Sequence, residues 1–339
     1  MTLGQARVPR RSFPKAAKRG WRDGAGLVRY PGMIRLGVDF GGTKIEAAAI
    51  GPDGGFVSRV RLPNPGTYEA ALETVARVVA EAETAAGGQV APGVGIGMPG
   101  SISPVTGRVR NANSVWINER PLAEDLERVL ARPVRLRNDA NCFVQSEARD
   151  GAAAGAGLAF GAILGTGCGG GIAIKGDERP GLNGLAGEWG HTPLPWQTRA
   201  EATAGDGGGL ACWCGRRNCL ETWISGTGFV ADYRRTGGVV SGSGADIVRA
   251  ARAGDRIAAA AVDDYVDRLG RSLAVLCDVM DPDVIVLGGG MSNVDELYEA
   301  LPDVVAGHVF SDSFRTPILR ARHGDSSGVR GAAWLWPLE

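Results

Sequence analysis

The sequence predicts a two-lobed α/β protein with a cleft between its lobes. Three observations carry that prediction. From Met33 onward, short apolar strand-like runs alternate with helical patterns. Two strand–turn–strand units, 36–50 and 160–174, each turn on a glycine-rich segment and each lead into further mixed α/β pattern. A third glycine run, Gly288-Gly289-Gly290, follows a buried-strand pattern late in the chain. Such turns, distant in sequence, can meet at one crevice between two sheets.

Taken in order, 36–40 reads as a strand ending in Gly41-Gly42, and 45–50 as its returning partner. The run 51–55 is a turn, and 56–62 a third strand. Apolar residues at Ala71, Leu72, Val75, Val78 and Val79 repeat at helical spacing, so 68–86 is a helix. A strand at 94–98 stops at Pro99-Gly100; a helix at 122–130 and a strand at 134–137 follow. A long helix starts at Asp139 and runs towards Ala154. Strands at 160–164 and 172–174 form a hairpin around 165–171, and 176–219 is loop-rich. Helices then dominate, at 245–253 and 257–280, before a buried strand at 284–287. A helix at 297–308, a strand at 317–321 and a helix at 327–336 complete the chain. The implied division is a first lobe of 33–137 plus 323–339 and a second of 138–322.

The 339 residues are 44% hydrophobic and 22% charged, an ordinary globular balance. Lys plus Arg and Asp plus Glu both number 37, which favours neither nucleic acid nor an anionic membrane as partner. The charge is unevenly spread. Residues 1–32 hold eight basic residues against Asp23 alone, a net +7 that leaves −7 elsewhere. That stretch lacks the apolar core of a secretory signal. It reads as a disordered or non-native extension upstream of a start at Met33. The uncharged run 152–174 is long enough to span a bilayer, but eight glycines interrupt it and a strand and turn explain it better. A cytoplasmic protein is expected. Six cysteines fit that compartment, three of them clustered and Cys142, Cys168 and Cys277 scattered.

Asp39-Phe40-Gly41-Gly42-Thr43-Lys44 joins two strands. Adjacent glycines let backbone N–H groups approach an anion, Thr43 adds a hydroxyl, and Asp39 offers a carboxylate to hydrated magnesium. An ordinary hairpin turn has the same composition. The second turn, 165–171, puts five glycines in seven positions between apolar strands. Glycines 288–290 let a flat group such as a purine lie against backbone. No P-loop or dinucleotide fingerprint occurs. Two phosphate-type hairpins with a late glycine run resemble the actin-like ATPase (ribonuclease H-like) superfamily.

Cys212, Cys214 and Cys219 sit within eight residues, with His191 upstream. Three thiolates and an imidazole make a closed tetrahedral zinc site, structural rather than catalytic. His191 is the nearest of the three histidines. Phosphoryl transfer to a hydroxyl needs a carboxylate base. Asp139, in Asn138-Asp139-Ala140-Asn141, ends a strand and opens a helix, where the helix dipole favours an anion; a plain N-cap is the competing explanation. Glu188 and Glu221 flank the metal cluster, and a sugar is recognised by such carboxylates. A zinc-bound His191 would present its second ring nitrogen as an oriented donor.

These motifs, with Gly97-Met98-Pro99-Gly100 and Glu188-Trp189-Gly190-His191, resemble the ROK family of bacterial sugar kinases and sugar-responsive repressors, over essentially 33–339. Stretches 100–104, 111–114, 224–229 and 323–337 most resemble its fructose- and mannose-phosphorylating members. The resemblance implies the two-lobed sugar kinase fold and ATP-dependent phosphorylation of a hexose 6-hydroxyl, fructose first and mannose also. The alternative is glucose or an N-acetylhexosamine. It implies Asp139 as base, and Asn113, Asn138, Glu188, His191 and Glu221 as the sugar clamp. Asp39, Gly41, Gly42, Thr43, Lys44, Gly165, Thr166 and Gly167 would face the ATP phosphates and Mg2+, and Gly289 and Gly290 the adenosine. His191, Cys212, Cys214 and Cys219 would hold structural Zn2+. A homodimer is expected. A repressor would need a helix-turn-helix module ahead of this fold, and 1–32 is too short and too broken by proline to supply one.

Overall fold

The computed structural model describes residues 34–239 and 242–336. The basic stretch 1–32 and the start at Met33 lie outside the described residues. The first half of the chain builds β1 (Arg35–Phe40), β2 (Lys44–Ile50), β3 (Phe56–Pro63), α1 (Tyr68–Ala85) and β4 (Val94–Met98). Then come a two-stranded ribbon, β5 (Ser101–Ile102) with β6 (Val109–Arg110), and α2 (Leu122–Leu130), β7 (Val134–Asn138) and α3 (Asp139–Asp150). The second half builds β8 (Leu158–Leu164), β9 (Cys168–Ile174), β10 (Asp177–Glu178), α4 (Arg199–Ala202), α5 (Glu221–Ile224) and α6 (Gly226–Arg235). It closes with α7 (Gly244–Arg252), α8 (Arg256–Met280), β11 (Val284–Gly288), α9 (Glu296–Ala306), β12 (Ile318–Arg320) and α10 (Ser327–Trp334).

Among the described residues the two large sheets share one plan. The first runs β3-β2-β1-β4-β7 and the second β10-β9-β8-β11-β12. In each, the first two strands of the hairpin are antiparallel and the later strands join in parallel. The two glycine-rich turns therefore occupy equivalent places, at the ends of β1 and β8.

Strand alternation decides which residues face which layer. Leu36, Val38 and Phe40 of β1 join Val75, Val78 and Val79 of α1 in the first core. Phe160, Ala162 and Leu164 of β8 join Leu269 and Leu273 of α8 in the second. The opposite surfaces take the helices in exchange. The helix α3, made right after β7, packs on β8 and β9 of the second sheet, whereas α10, made last, packs on β1 and β4 of the first. The two helices also touch each other. Close approach is what the sequence supplies there: a Cβ at Gly95 would lie 1.7 Å from the Ala332 carbonyl oxygen, and one at Gly331 1.6 Å from that of Cys142.

Buried Glu147 ties the end of α3 to the start of α10. Its carboxylate accepts from the backbone N–H groups of Ala152, Arg322 and His323, and from the Ser327 hydroxyl at 2.9 Å. Further polar links join the halves, among them the pairing of Arg137 of β7 with Glu178 of β10 and a bond from Arg110 to the Asn183 carbonyl at 2.7 Å.

Several sequence expectations need correction. The helix α3 stops at Asp150 rather than Ala154, because Glu147 draws Ala152 into a turn. The second turn is confined to 165–167, and Gly169 to Gly171 belong to β9. Those glycines serve packing: a Cβ at Gly171 would lie 2.6 Å from the Ala140 carbonyl oxygen of α3. The helix α6 was not expected, since Gly226, Thr227 and Gly228 are poor helix formers; the Ser225 hydroxyl caps it by accepting from Gly228 N–H at 2.9 Å. No helix among the described residues is long and apolar enough to cross a membrane.

Candidate active site

The turn after β1 is held from behind by Asn64, whose side-chain amide donates to the Gly41 carbonyl at 2.7 Å and whose backbone N–H donates to that of Thr43 at 3.0 Å. Gly42 and Thr43 are exposed, and Lys44 is close enough for its charge to act on Asp39. A Cβ at Gly42 would stand 3.4 Å from the Ser114 hydroxyl, which brings the exposed Asn113 beside this turn. The turn after β8 is tight, with Gly165 N–H donating to the Gly167 carbonyl at 3.0 Å. The start of α6 abuts it: Gly226 N–H donates to the Gly165 carbonyl at 2.7 Å, and the Thr227 hydroxyl to that of Thr166 at 2.6 Å.

A cavity of about 570 Å3 opens beside the second turn, lined by Thr166, Thr227, Ser243, Gly290 and Met291 among others. That volume suits a nucleoside. The two late glycines differ in role. Gly289 takes φ 80°, and a Cβ there would lie 2.6 Å from the Leu164 carbonyl. Gly290 lines the cavity, and a Cβ there would meet nothing within 4 Å.

Acidic side chains run along the cleft from the first turn towards the cysteine cluster. Asp139 opens α3 with its Oδ1 accepting from Ala140 N–H at 2.8 Å. Asn138 caps the helix through its Oδ1, at 2.9 Å from the same N–H, and its amide donates to the Gly100 carbonyl at 2.9 Å. Asp139 and Glu188 keep contact with solvent across the open cleft, yet protein atoms crowd both. For Asp139 that loss of solvation pushes the pKa up, the Ala140 N–H offsets part, and the Glu188 charge adds to the rise. For Glu188 crowding again pushes it up, His191 opposes and Glu221 adds. Asp39 is lifted to about 6, first by burial, then by the charges of Asp139 and Glu46.

Glu188 is set by a 3-10 turn, Glu188–His191, lying directly on β9. Gly187 takes φ 97°, and a Cβ there would be 2.1 Å from the Gly170 carbonyl oxygen. The Trp189 indole N–H donates to the Gly169 carbonyl at 2.8 Å. The same turn carries His191 to Cys212, Cys214 and Cys219, and their ligand atoms all lie within 4.8 Å of one another. His191 Nδ1 is 3.7 Å from the Cys212 Sγ, and the Cys214 and Cys219 sulfurs are 3.6 Å apart. Zinc–sulfur bonds of about 2.3 Å at tetrahedral angles separate ligand atoms by similar distances. The donor set and spacing fit zinc, with Nε2 left on the far side of the imidazole.

Glu221 is held at both oxygens. Oε2 accepts from Cys168 N–H at 3.0 Å, and Oε1 from the Trp213 indole N–H at 2.5 Å. The structure thus brings Asp39, Asp139, Glu188, His191 and Glu221 into one electrostatic series between the two turns. Sequence reasoning missed the α6 start, Ser243 and Met291 as cavity walls, and Trp213. Only Ser225-Gly226-Thr227-Gly228, a capping pattern, offered a signal for the first.

Residues 35–339 match the model of the ROK family. An N-acetyl-D-glucosamine kinase of Pasteurella multocida (strain Pm70) is 40% identical over 306 residues, covering 89% of this chain and 99% of that protein. Among solved structures, a ROK hexokinase from Thermus thermophilus aligns with a TM-score of 0.78 at 32% identity, covering 89% of this chain and 97% of that one. A ROK family glucokinase from Streptomyces griseus, solved with glucose and AMPPNP, aligns with a TM-score of 0.73 at 29% identity, covering 89% and 98%. These likenesses agree with the two-lobed sugar kinase fold expected from the sequence. They do not support the fructokinase likeness read from 100–104, 111–114, 224–229 and 323–337, and they agree better with the alternative of glucose or an N-acetylhexosamine.

Proposed function

The chain belongs to the ROK family, and on that premise we propose that it is an ATP-dependent sugar kinase acting on the 6-hydroxyl of an N-acetylated hexosamine. The observation that carries the reading is the position of Asp139, a crowded carboxylate at a helix start, in line with Asp39 and Glu188 between two glycine-rich turns. The choice of sugar rests on the N-acetyl-D-glucosamine kinase relative.

The sugar hydroxyl would lie against Asp139, whose Oδ1 is engaged by Ala140 N–H. Oδ2 is then the atom that takes the proton. The 6-oxygen forms its bond to the γ-phosphorus, the bridge to the β-phosphate breaks, and ADP leaves. A pKa raised by crowding makes Asp139 a stronger base than a free carboxylate. Glu188, His191 Nε2, Glu221 and Asn113 hold the remaining hydroxyls, and Asn138 fixes the start of α3 while keeping a second amide hydrogen for the sugar.

On the nucleotide side, Gly41, Gly42, Thr43 and Lys44 with Gly165, Thr166 and Gly167 would hold the triphosphate, and the cavity beside Gly290 would take the adenosine. Asp39 suits a magnesium ion, because a crowded carboxylate beside a second one is relieved by a hard cation. Held there, a magnesium ion would supply positive charge against the triphosphate. His191 and the three cysteines would hold a zinc ion, which would order the loop that carries Trp213 and leads into Glu221.

ADP release measured across N-acetylglucosamine, N-acetylgalactosamine, glucose, mannose and fructose tests the reading. The highest kcat/KM is expected with an N-acetylated hexosamine. A clear preference for fructose would reverse the choice of sugar, and ADP release independent of any sugar would end the kinase reading.

A further inference from the structure

Trp213 stands between two of the clustered cysteines and is 64% exposed, so no core contact explains its orientation. Its orientation is nonetheless specified twice. The indole N–H donates to Glu221 Oε1 at 2.5 Å. The ring also meets the His191 imidazole edge to face, with centroids 5.0 Å apart at 84°. One side chain of the cysteine loop thus touches two members of the sugar clamp.

The other end of Glu221 matters equally. Its Oε2 accepts from Cys168 N–H, the first residue of β9 after the second glycine turn, at 3.0 Å. A carboxylate on a flexible side chain is thereby fixed between the nucleotide side of the cleft and the cysteine loop. Each oxygen accepts one bond in this arrangement and retains a second lone pair. Those remaining lone pairs, in a fixed direction, are what a sugar hydroxyl needs.

We infer that Trp213 is a positioning residue for sugar binding: its indole N–H orients Glu221 towards a hexose hydroxyl and couples the order of the cysteine loop to sugar affinity. The inference rests on the proposed kinase reading. A hydrogen bond to a charged acceptor is among the stronger ones, so its loss is felt in sugar binding. The cavity given to the nucleotide is lined by Gly165 and Thr166 and not by Trp213.

The test is Trp213→Phe, which keeps a ring and removes the donor, beside Trp213→His, which keeps an N–H. In the full-length protein, Trp213→Phe should raise sugar KM, and weaken sugar binding measured by calorimetry without ATP, by roughly tenfold, the factor that 1.4 kcal/mol makes. The KM for ATP and the zinc content should hold, and Trp213→His should recover part of the loss. Sugar affinity within twofold of wild type in Trp213→Phe would overturn the inference. So would loss of zinc in that variant, which would assign the tryptophan to loop folding. Failure of the wild-type protein to transfer phosphate to any hexose would instead remove the kinase reading, which separates the two.

Discussion

Asp39, near the end of β1, and Asp139, at the start of α3, lie close enough for the charge of one to act on the other. Burial lifts the Asp39 carboxyl most, and the negative charge of Asp139 is the next largest contribution to its rise to about 6. Two acids from separate elements therefore share one electrostatic environment, in which only one is positioned at a helix start.

That asymmetry supports the separate roles proposed for them. Replacement of Asp139 by alanine would remove the proposed proton acceptor and leave the proposed sugar clamp in place. Turnover should fall by roughly 10²–10⁴-fold, with sugar binding by calorimetry largely retained. Near-normal turnover would take Asp139 out of the mechanism.

Asp39 gives a pH prediction. Its folded-state pKa, about 6, lies above the ordinary 3.8, so the folded chain holds this proton more tightly than the unfolded chain. The ionised carboxylate costs stability above pH 6; the cost shrinks as pH falls from 6 to 3.8 and is gone below. In magnesium-free buffer, Asp39→Asn should therefore be more stable than wild type at pH 8, by at most about 3 kcal/mol before solvent screening is allowed for. The advantage should vanish near pH 4. Thermal unfolding of both proteins across that range checks it, and an equal difference at both ends would contradict it. The same variant should lose activity through weakened magnesium binding.

The cysteine cluster predicts a structural consequence. Cys214→Ser should lose bound zinc, expected at about one per chain by elemental analysis. The loop bearing Trp213 should then show faster amide exchange, and sugar affinity should drop with it. A metal-free protein with full sugar affinity would exclude the role given to zinc.

The two glycines after β11 separate stability from nucleotide binding. A Cβ at Gly290, on the cavity wall, would meet no protein atom within 4 Å, so Gly290→Val should raise KM for ATP several-fold with an unchanged melting temperature. Gly289→Val combines a left-handed φ with a clash against Leu164 and should cost at least about 2 kcal/mol of stability. Equal effects of both substitutions on melting would refute the distinction.

The parts legible in the sequence were those in which neighbouring residues carry the chemistry. The turn from Asp39 to Lys44, the turn at Gly165 to Gly167, the helix start at Asp139 and the three cysteines are each local, and each sits where its spacing implied. The parts that were not legible depend on distant partners. Glu147 reads as one acid on a helix until 322–327 arrives to surround it. Trp213 reads as a residue between two ligands, and its hydrogen bond is visible only once Glu221 is in space. The start of α6 hides in glycine and threonine, whose propensity argues against a helix. The fructose preference read from 100–104, 111–114, 224–229 and 323–337 is not supported by the N-acetyl-D-glucosamine kinase relatives, and short segments of this kind do not contain the assembled clamp that would select a sugar.

The exchange of α3 and α10 between the sheets sets an order of events during synthesis. The strands β1 to β4 leave the ribosome early, but the helix that covers their second surface lies at 327–334, near the end of the chain. Through most of translation the early half carries an uncovered sheet surface, a state in which nascent chains invite chaperones. A frameshift or stop codon in the last dozen codons would be felt in the strands made first.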